Sequence, residues 1–154
     1  MSKFDTHCFS QELGALIALE LTQRHGEFRD FAIRALAIDC HPWNGVLELC
    51  LLTDKDKNGI TDMAEWKYFQ FTDPQMGGGW VQARPLKKLM QRYWEESVDS
   101  GLASETTEVI MRACAVALRS KPVEQALKLF RRSVDFELWL ADPDDPTQNY
   151  CSFY

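Results

Sequence analysis

The chain has 154 residues, 45% of them hydrophobic and 26% charged, and a net charge of −6. That length is one ordinary domain, able to bury about 68–70% of its unfolded surface without a metal or disulfide, and the balance of apolar and charged residues excludes a disordered chain. The negative charge argues against nucleic acid as a partner, because phosphate neutralisation needs a basic stripe, and the longest basic runs are only Lys87-Lys88 and Arg131-Arg132.

The first predicted element is a helix from Cys8 to His25. Phe9, Leu13, Leu16, Ile17 and Leu21 recur at helical spacing, Arg24 and His25 suit the negative end of the helix dipole, and Gly26 offers a C-cap. From Phe31 to Asp39 short apolar and β-branched residues predict a strand, and Val46 to Thr53 predicts a second. His41-Pro-Trp-Asn-Gly45 between them reads as the turn of a β-hairpin. The unbroken Leu49-Cys-Leu-Leu52 run is that of a strand covered on both faces. A third strand is expected at Trp66 to Thr72, where Trp, Tyr and two Phe crowd together.

Asp73-Pro-Gln-Met-Gly-Gly-Gly79 is a loop, and three helices follow it. Leu86, Leu89, Met90, Tyr93 and Trp94 stripe the first, with Pro85 in its opening turn. Val109, Ile110, Ala113, Cys114, Ala117 and Leu118 stripe the second, with Ser104 as its expected N-cap. Val123, Ala126, Leu127 and Phe130 stripe the third, which starts at Pro122. A last strand alternates, with Val134, Phe136, Leu138 and Leu140 on one face and Trp139 on the other. The expectation is a single α+β domain over residues 1–154. Its sheet has about four strands and is mainly antiparallel, its helices are segregated in one block, and the order is α-β-β-β-α-α-α-β. An acidic, extended tail spans 142–154, with Tyr150, Phe153 and Tyr154 folding back on the body or a partner.

Met1 to Cys8 lacks the apolar core of a signal peptide, and no apolar run is long enough to span a bilayer. Cys8, Cys40, Cys50, Cys114 and Cys151 are odd in number, widely spaced and without a C-x-x-C pair, so neither a disulfide framework nor a zinc site is expected. Reduced thiols in a cytoplasmic protein, with no membrane partner, is the reading that follows.

One motif is sharp. Residues 54–65 read Asp-Lys-Asp-Lys-Asn-Gly-Ile-Thr-Asp-Met-Ala-Glu, matching D-x-[DN]-x-[DN]-G-x5-E at each specified position. This segment resembles the calcium loop of the EF-hand family. The resemblance implies side-chain oxygens from Asp54, Asp56 and Asn58, a sharp turn at Gly59 and the carbonyl of Ile60. It further implies Asp62, directly or through water, and both oxygens of Glu65. EF-hand loops carry an apolar residue where Thr61 stands, are flanked by helices and occur in pairs. Here the flanks read as strands and no second loop exists, so a solvated Asx- and Gly-rich connection is the other reading of the same residues.

Other chemistries lack their residues. There is no G-x-S-x-G, and Cys40 and His41 are strand neighbours facing opposite sides. Gly77-Gly-Gly79 lacks the Lys-Ser/Thr of a phosphate loop. The aromatic residues stand out instead: Trp43 in a turn, Trp80 after a glycine loop and Trp139 on its strand are candidate partner contacts. The leading expectation is a non-enzymatic protein-binding domain whose acidic, aromatic-bearing surface meets a basic protein partner. In size, charge and architecture it is similar to bacterial immunity and adaptor proteins. The alternative is a calcium-binding or calcium-stabilised protein using the 54–65 loop, with Ca2+ the only cofactor implied. A hydrolase with a site assembled from distant residues stands third.

Overall fold

The structure, a computed structural model, describes residues 3–60, 62–73, 77–145 and 148–152. Helix α1 runs from Thr6 to Arg24, two residues earlier than the apolar spacing implies, because the Asp5 carboxylate accepts the Cys8 amide at 2.9 Å and caps the first turn. It ends in a short 3-10 turn, His25–Phe28, that contains Gly26. Strands β1 (Ala32–His41) and β2 (Val46–Thr53) pair antiparallel as a hairpin, with His41 opposite Val46. Pro42–Asn44 form a 3-10 turn closed by Gly45 in the left-handed region (φ 63°). A side chain at Gly45 would be strained by that backbone conformation, and its Cβ would displace the Gln91 amide of the next helix, whose Oε1 lies 2.7 Å from the position.

Three helices follow: α2 (Arg84–Asp99), α3 (Ala103–Leu118) and α4 (Lys121–Leu127). Leu102, not Ser104, stands at the N-cap of α3, and no side chain caps it. Strand β3 (Arg131–Trp139) closes the sheet beside β1. The sheet order is β2-β1-β3, and β3 runs parallel to β1. The helical block returns the chain to the end of the sheet where β1 begins, Arg131 lying beside Ala32, so β3 starts where β1 starts.

Among the described residues the architecture is α+β with four helices, but the sheet is mixed and three-stranded, and the order is α-β-β-α-α-α-β. The expected strand at 66–72 does not form. Its amide and carbonyl groups touch the β2 edge at two points, the Leu51 amide on the Tyr68 carbonyl (3.1 Å) and the Phe71 amide on the Leu49 carbonyl (3.0 Å). Between them the chain turns, and Gln70 has φ 48°. The reason lies in what the aromatics cover. Tyr68 and Phe71 join the core on one side of the sheet, whereas Trp66 and Phe69 join the cluster on the other. That spacing of three is incompatible with strand alternation, in which residues two apart share a face.

The helices cover one face of the sheet. Phe9, Leu13, Ile17 and Leu21 of α1 are buried against Ile33, Leu36 and Ile38 of β1, Leu47, Leu49 and Leu51 of β2, and the apolar stripes of α2, α3 and α4. Each such side chain contributes roughly 1.5–3 kcal/mol by leaving water. Gly14 lets α1 approach the α3–α4 junction: a Cβ there would meet the Ser120 hydroxyl at 2.8 Å. The second face is built from smaller residues, Ala35, Ala37 and Cys50, with Leu52, and is covered by a loop layer that brings Trp66, Ile60, Met63 and Phe69. The continuous apolar run of β2 is thus explained by burial on both sides.

Among its described residues the tail folds back on the body. Ala141 bridges Asn149, the Tyr150 amide donates to the Leu140 carbonyl at 2.9 Å, and Asn149 bonds both Leu138 and Leu140. Tyr150 is half-buried against the body; Phe153 and Tyr154 lie outside the described residues. No helix among the described residues is long and apolar enough to cross a membrane.

Candidate functional site

The second face of the sheet holds a cleft of about 760 Å³. Period-two alternation builds its floor. On β1, Asp39 and His41 share the face of Ala35 and Ala37; on β3, Glu137 and Trp139 lie beside Ala35 and Ala37 in register. The small alanines leave space above the central strand. Trp66, Phe69, Met63 and Ile60 from the loop layer wall one side, and Ala141, Asp142 and Pro143 wall the end beyond β3.

The charged groups of the cleft are asymmetric. Asp39, Asp62, Glu137 and Asp142 line it, together with His41, and its described lining contains no lysine or arginine. Asp39 is 6% exposed and fully engaged: one oxygen meets His41 Nε2 at 3.0 Å and the other accepts from Gln70 Nε2 at 2.8 Å. The hydrogen bond to Asp39 raises the His41 pKa above its ordinary 6.5, against the opposing effect of burial. Asp62 and Glu137 are exposed, and the Glu137 side chain makes no hydrogen bond or ion pair among the described residues. Asp142 accepts from the Asp144 amide (2.9 Å) and the Tyr150 hydroxyl (3.3 Å). Trp66 is 7% exposed, and its buried indole N–H has no acceptor among the described residues.

Of the three tryptophans expected to meet a partner, Trp139 lines this cleft. Trp43 is half-buried at the hairpin turn, edge-on to His41 (5.5 Å between ring centroids) and packed on Trp94 of α2. Trp80 is 1% exposed in the main core, so it has no ring surface to offer a partner. The glycine loop before Trp80 is tied down, with the Gly77 and Gly79 amides donating to Asp73 at 2.9 Å. Those bonds hold the Asp73 carboxyl below its ordinary range and leave these two amides bonded to the chain's own carboxylate.

The 54–65 segment directly follows β2, and its end forms the 3-10 turn Met63–Glu65. Asp56 is buried, with one oxygen accepting the Thr53 amide and the other the Lys67 amide, each at 2.8 Å. Asp62 caps the 3-10 turn through the Ala64 amide at 2.9 Å. Asp54 lies 3.9 Å from Arg131, while Asn58 and Glu65 are exposed and Ile60 points into the cleft wall; Thr61 lies outside the described residues. Among the described residues no three His, Cys, Asp or Glu side chains gather closely enough to hold a metal ion. Each Asp56 oxygen thus already accepts one backbone amide, which fixes the carboxylate against Thr53 and Lys67.

Cys40 and His41 point to opposite faces, as strand neighbours must: Cys40 packs on Met90 in the helical core and His41 in the cleft. The cleft residues to which sequence reasoning assigns no functional role are Asp39, Trp66, Glu137 and Asp142, while His41 is weighed there only as a neighbour of Cys40. The signal for two pairs was present, since Asp39/His41 and Glu137/Trp139 are each two apart on a strand. Nothing local brings the pairs together; the parallel pairing of β1 with β3 does so.

The chain matches no family model, no curated protein and no solved structure at a significant level.

Proposed function

We propose that this chain is a non-enzymatic protein-binding domain, of the immunity or adaptor kind, that works in the cytoplasm and receives a basic partner in the cleft on the second face of its sheet. The observation that carries this reading is the lining: Asp39, Asp62, Glu137 and Asp142 beside Trp66 and Trp139, with no lysine or arginine among its described residues. Such a surface attracts cations in two ways. Carboxylates of one sign steer a basic protein toward the cleft and disfavour acidic ones. Aromatic faces hold an arginine or lysine head by cation–π attraction, about 0.5–2 kcal/mol each, and large aromatic walls supply the apolar contact on which protein interfaces depend.

The test uses the full chain as bait in extract from its own source, followed by calorimetry with the purified partner. Glu137→Lys reverses a cleft charge at a side chain with no described hydrogen bond or ion pair, so the fold is expected to survive. The expected result is a basic protein whose affinity falls about tenfold or more with that substitution and falls again as salt is raised. A partner whose affinity is unmoved by Glu137→Lys would place the interface elsewhere and overturn the reading.

A further inference from the structure

Resting on the proposed protein-binding role, we infer that the cleft takes a short partner segment in which one large apolar side chain is flanked by arginine or lysine. Three observations lead there. The first is size: about 760 Å³ falls within the range of about 300–1,000 Å³ that houses a drug-sized guest and exceeds what one side chain fills. The second is the layering of polarity. The walls are apolar (Leu52, Ile60, Met63, Trp66, Phe69 and Trp139), whereas the exposed carboxylates Asp62 and Glu137 stand at the rim, on the loop layer and on β3. The buried carboxylate Asp39 is already bonded within the chain, to His41 and Gln70, so the carboxylates most open to a guest are those at the rim. An apolar group therefore suits the interior and a cation suits each rim. The third is the pair of indoles in the wall, Trp66 and Trp139, aromatic surface that suits an apolar side chain and a flanking cation.

The experiment follows the indole resonances of Trp66 and Trp139 in the full chain by NMR while capped peptides are titrated in. The probes are an arginine–phenylalanine–arginine peptide, its glycine-centred analogue, its glutamate-flanked analogue, and phenethylamine. Saturable shifts at both indoles are expected with the first peptide. They should weaken about tenfold when phenylalanine is replaced by glycine, as the loss of one buried aromatic side chain requires. They should weaken again with the glutamate flanks or with Glu137→Lys, whose exposed side chain makes no described hydrogen bond or ion pair, the fold being checked by spectral dispersion. Equal binding of the glycine-centred peptide would reduce the site to charge alone and overturn the inference. Phenethylamine binding as tightly as the peptide would assign the cleft to small amines and overturn it as well. If the purified partner loses affinity with Glu137→Lys yet no peptide shifts either indole, the segment assignment fails while the protein-binding reading stands. If the partner is indifferent to Glu137→Lys, the reading itself fails.

Discussion

Asp39 and Glu48 are directly opposite each other on β1 and β2, and both are nearly buried. Like charges so placed repel unless each has its own counterpart. Here the two side chains are drawn apart. Asp39 reaches His41 and Gln70, while Glu48 reaches the Thr72 hydroxyl (2.6 Å), the Trp80 amide (2.9 Å) and the Lys87 ammonium. The Asp39 contact has a measurable consequence. Because the His41 pKa is raised in the folded state, its ion pair adds stability that is fully present below the unfolded value near 6.5. That stability is lost as pH rises through the folded value. His41 is partly exposed, so solvent screens the effect and keeps it small. Titration by NMR should find the His41 imidazole protonating above 6.5 in the native chain, with a lower midpoint in Asp39→Asn. A midpoint that does not move would mean that Asp39 is not what holds the proton.

Among the elements, the two sheet edges are handled differently. The β2 edge is covered by the turn-rich 66–72 segment, which is pinned there by Glu48 acting across to Thr72, Trp80 and α2. The β3 edge is disrupted. While β1 advances from Ile33 to Ala35, β3 advances from Arg132 to Glu137, so the intervening residues bulge outward with Val134 fully exposed. Charged neighbours Arg131, Arg132 and Asp135, and the returning tail at Leu138–Leu140, make that edge a poor template for another strand. The Glu48 tether is testable. Glu48→Ala leaves a largely buried Lys87 without its partner and the Trp80 amide without its acceptor, and should cost about 3–5 kcal/mol in chemical denaturation. Replacing the pair together, with Glu48→Leu and Lys87→Met, should recover most of that. A single-variant loss below about 1 kcal/mol, the scale of a surface pair, would show that the tether does not hold the loop layer.

At the scale of the whole molecule, burial sorts the five cysteines. Cys8 is exposed, Cys40, Cys50 and Cys114 are buried, and Cys151 is half-buried. Burial pushes the Cys151 thiol up to about 12, and raises Cys50 as well, while Cys40 is raised chiefly by its hydrogen bond with Cys114 and further by burial. Even Cys8 is raised, because its thiol donates to Glu12 at 3.5 Å. A disulfide-exchange reagent at neutral pH should therefore label Cys8 alone in the native chain, and slowly, and all five thiols in denaturant. Mass mapping of the labelled site checks this, and native labelling of Cys40, Cys50 or Cys114 would contradict the core described above.

Local pattern was enough for the four helices, the hairpin and β3, because apolar periodicity reports which face of an element is buried whatever it is buried against. It also separated Trp139 from Phe136 and Leu138, since alternation along a strand is a local property, but it misplaced Val134, which the irregular pairing with β1 leaves fully exposed instead of on their face. It failed at 66–72, where aromatic β-propensity was overridden by the need to cover both faces of a sheet edge. It could not assign the strand order, and so read a mixed sheet as mainly antiparallel. The cleft depended on that assignment: Asp39 and His41 meet Glu137 and Trp139 only because β3 lies parallel beside β1, more than ninety residues away along the chain. The EF-hand-like spacing shows the same division. Residues 54–65 carry calcium-loop residue types by themselves, but tertiary contacts direct Asp56 to backbone amides and Ile60 to the cleft wall. Sequence alone determined which residues turn, coil or extend, because those preferences are local. Which carboxylates share one cleft was decided by packing, because it depends on which distant strands become neighbours.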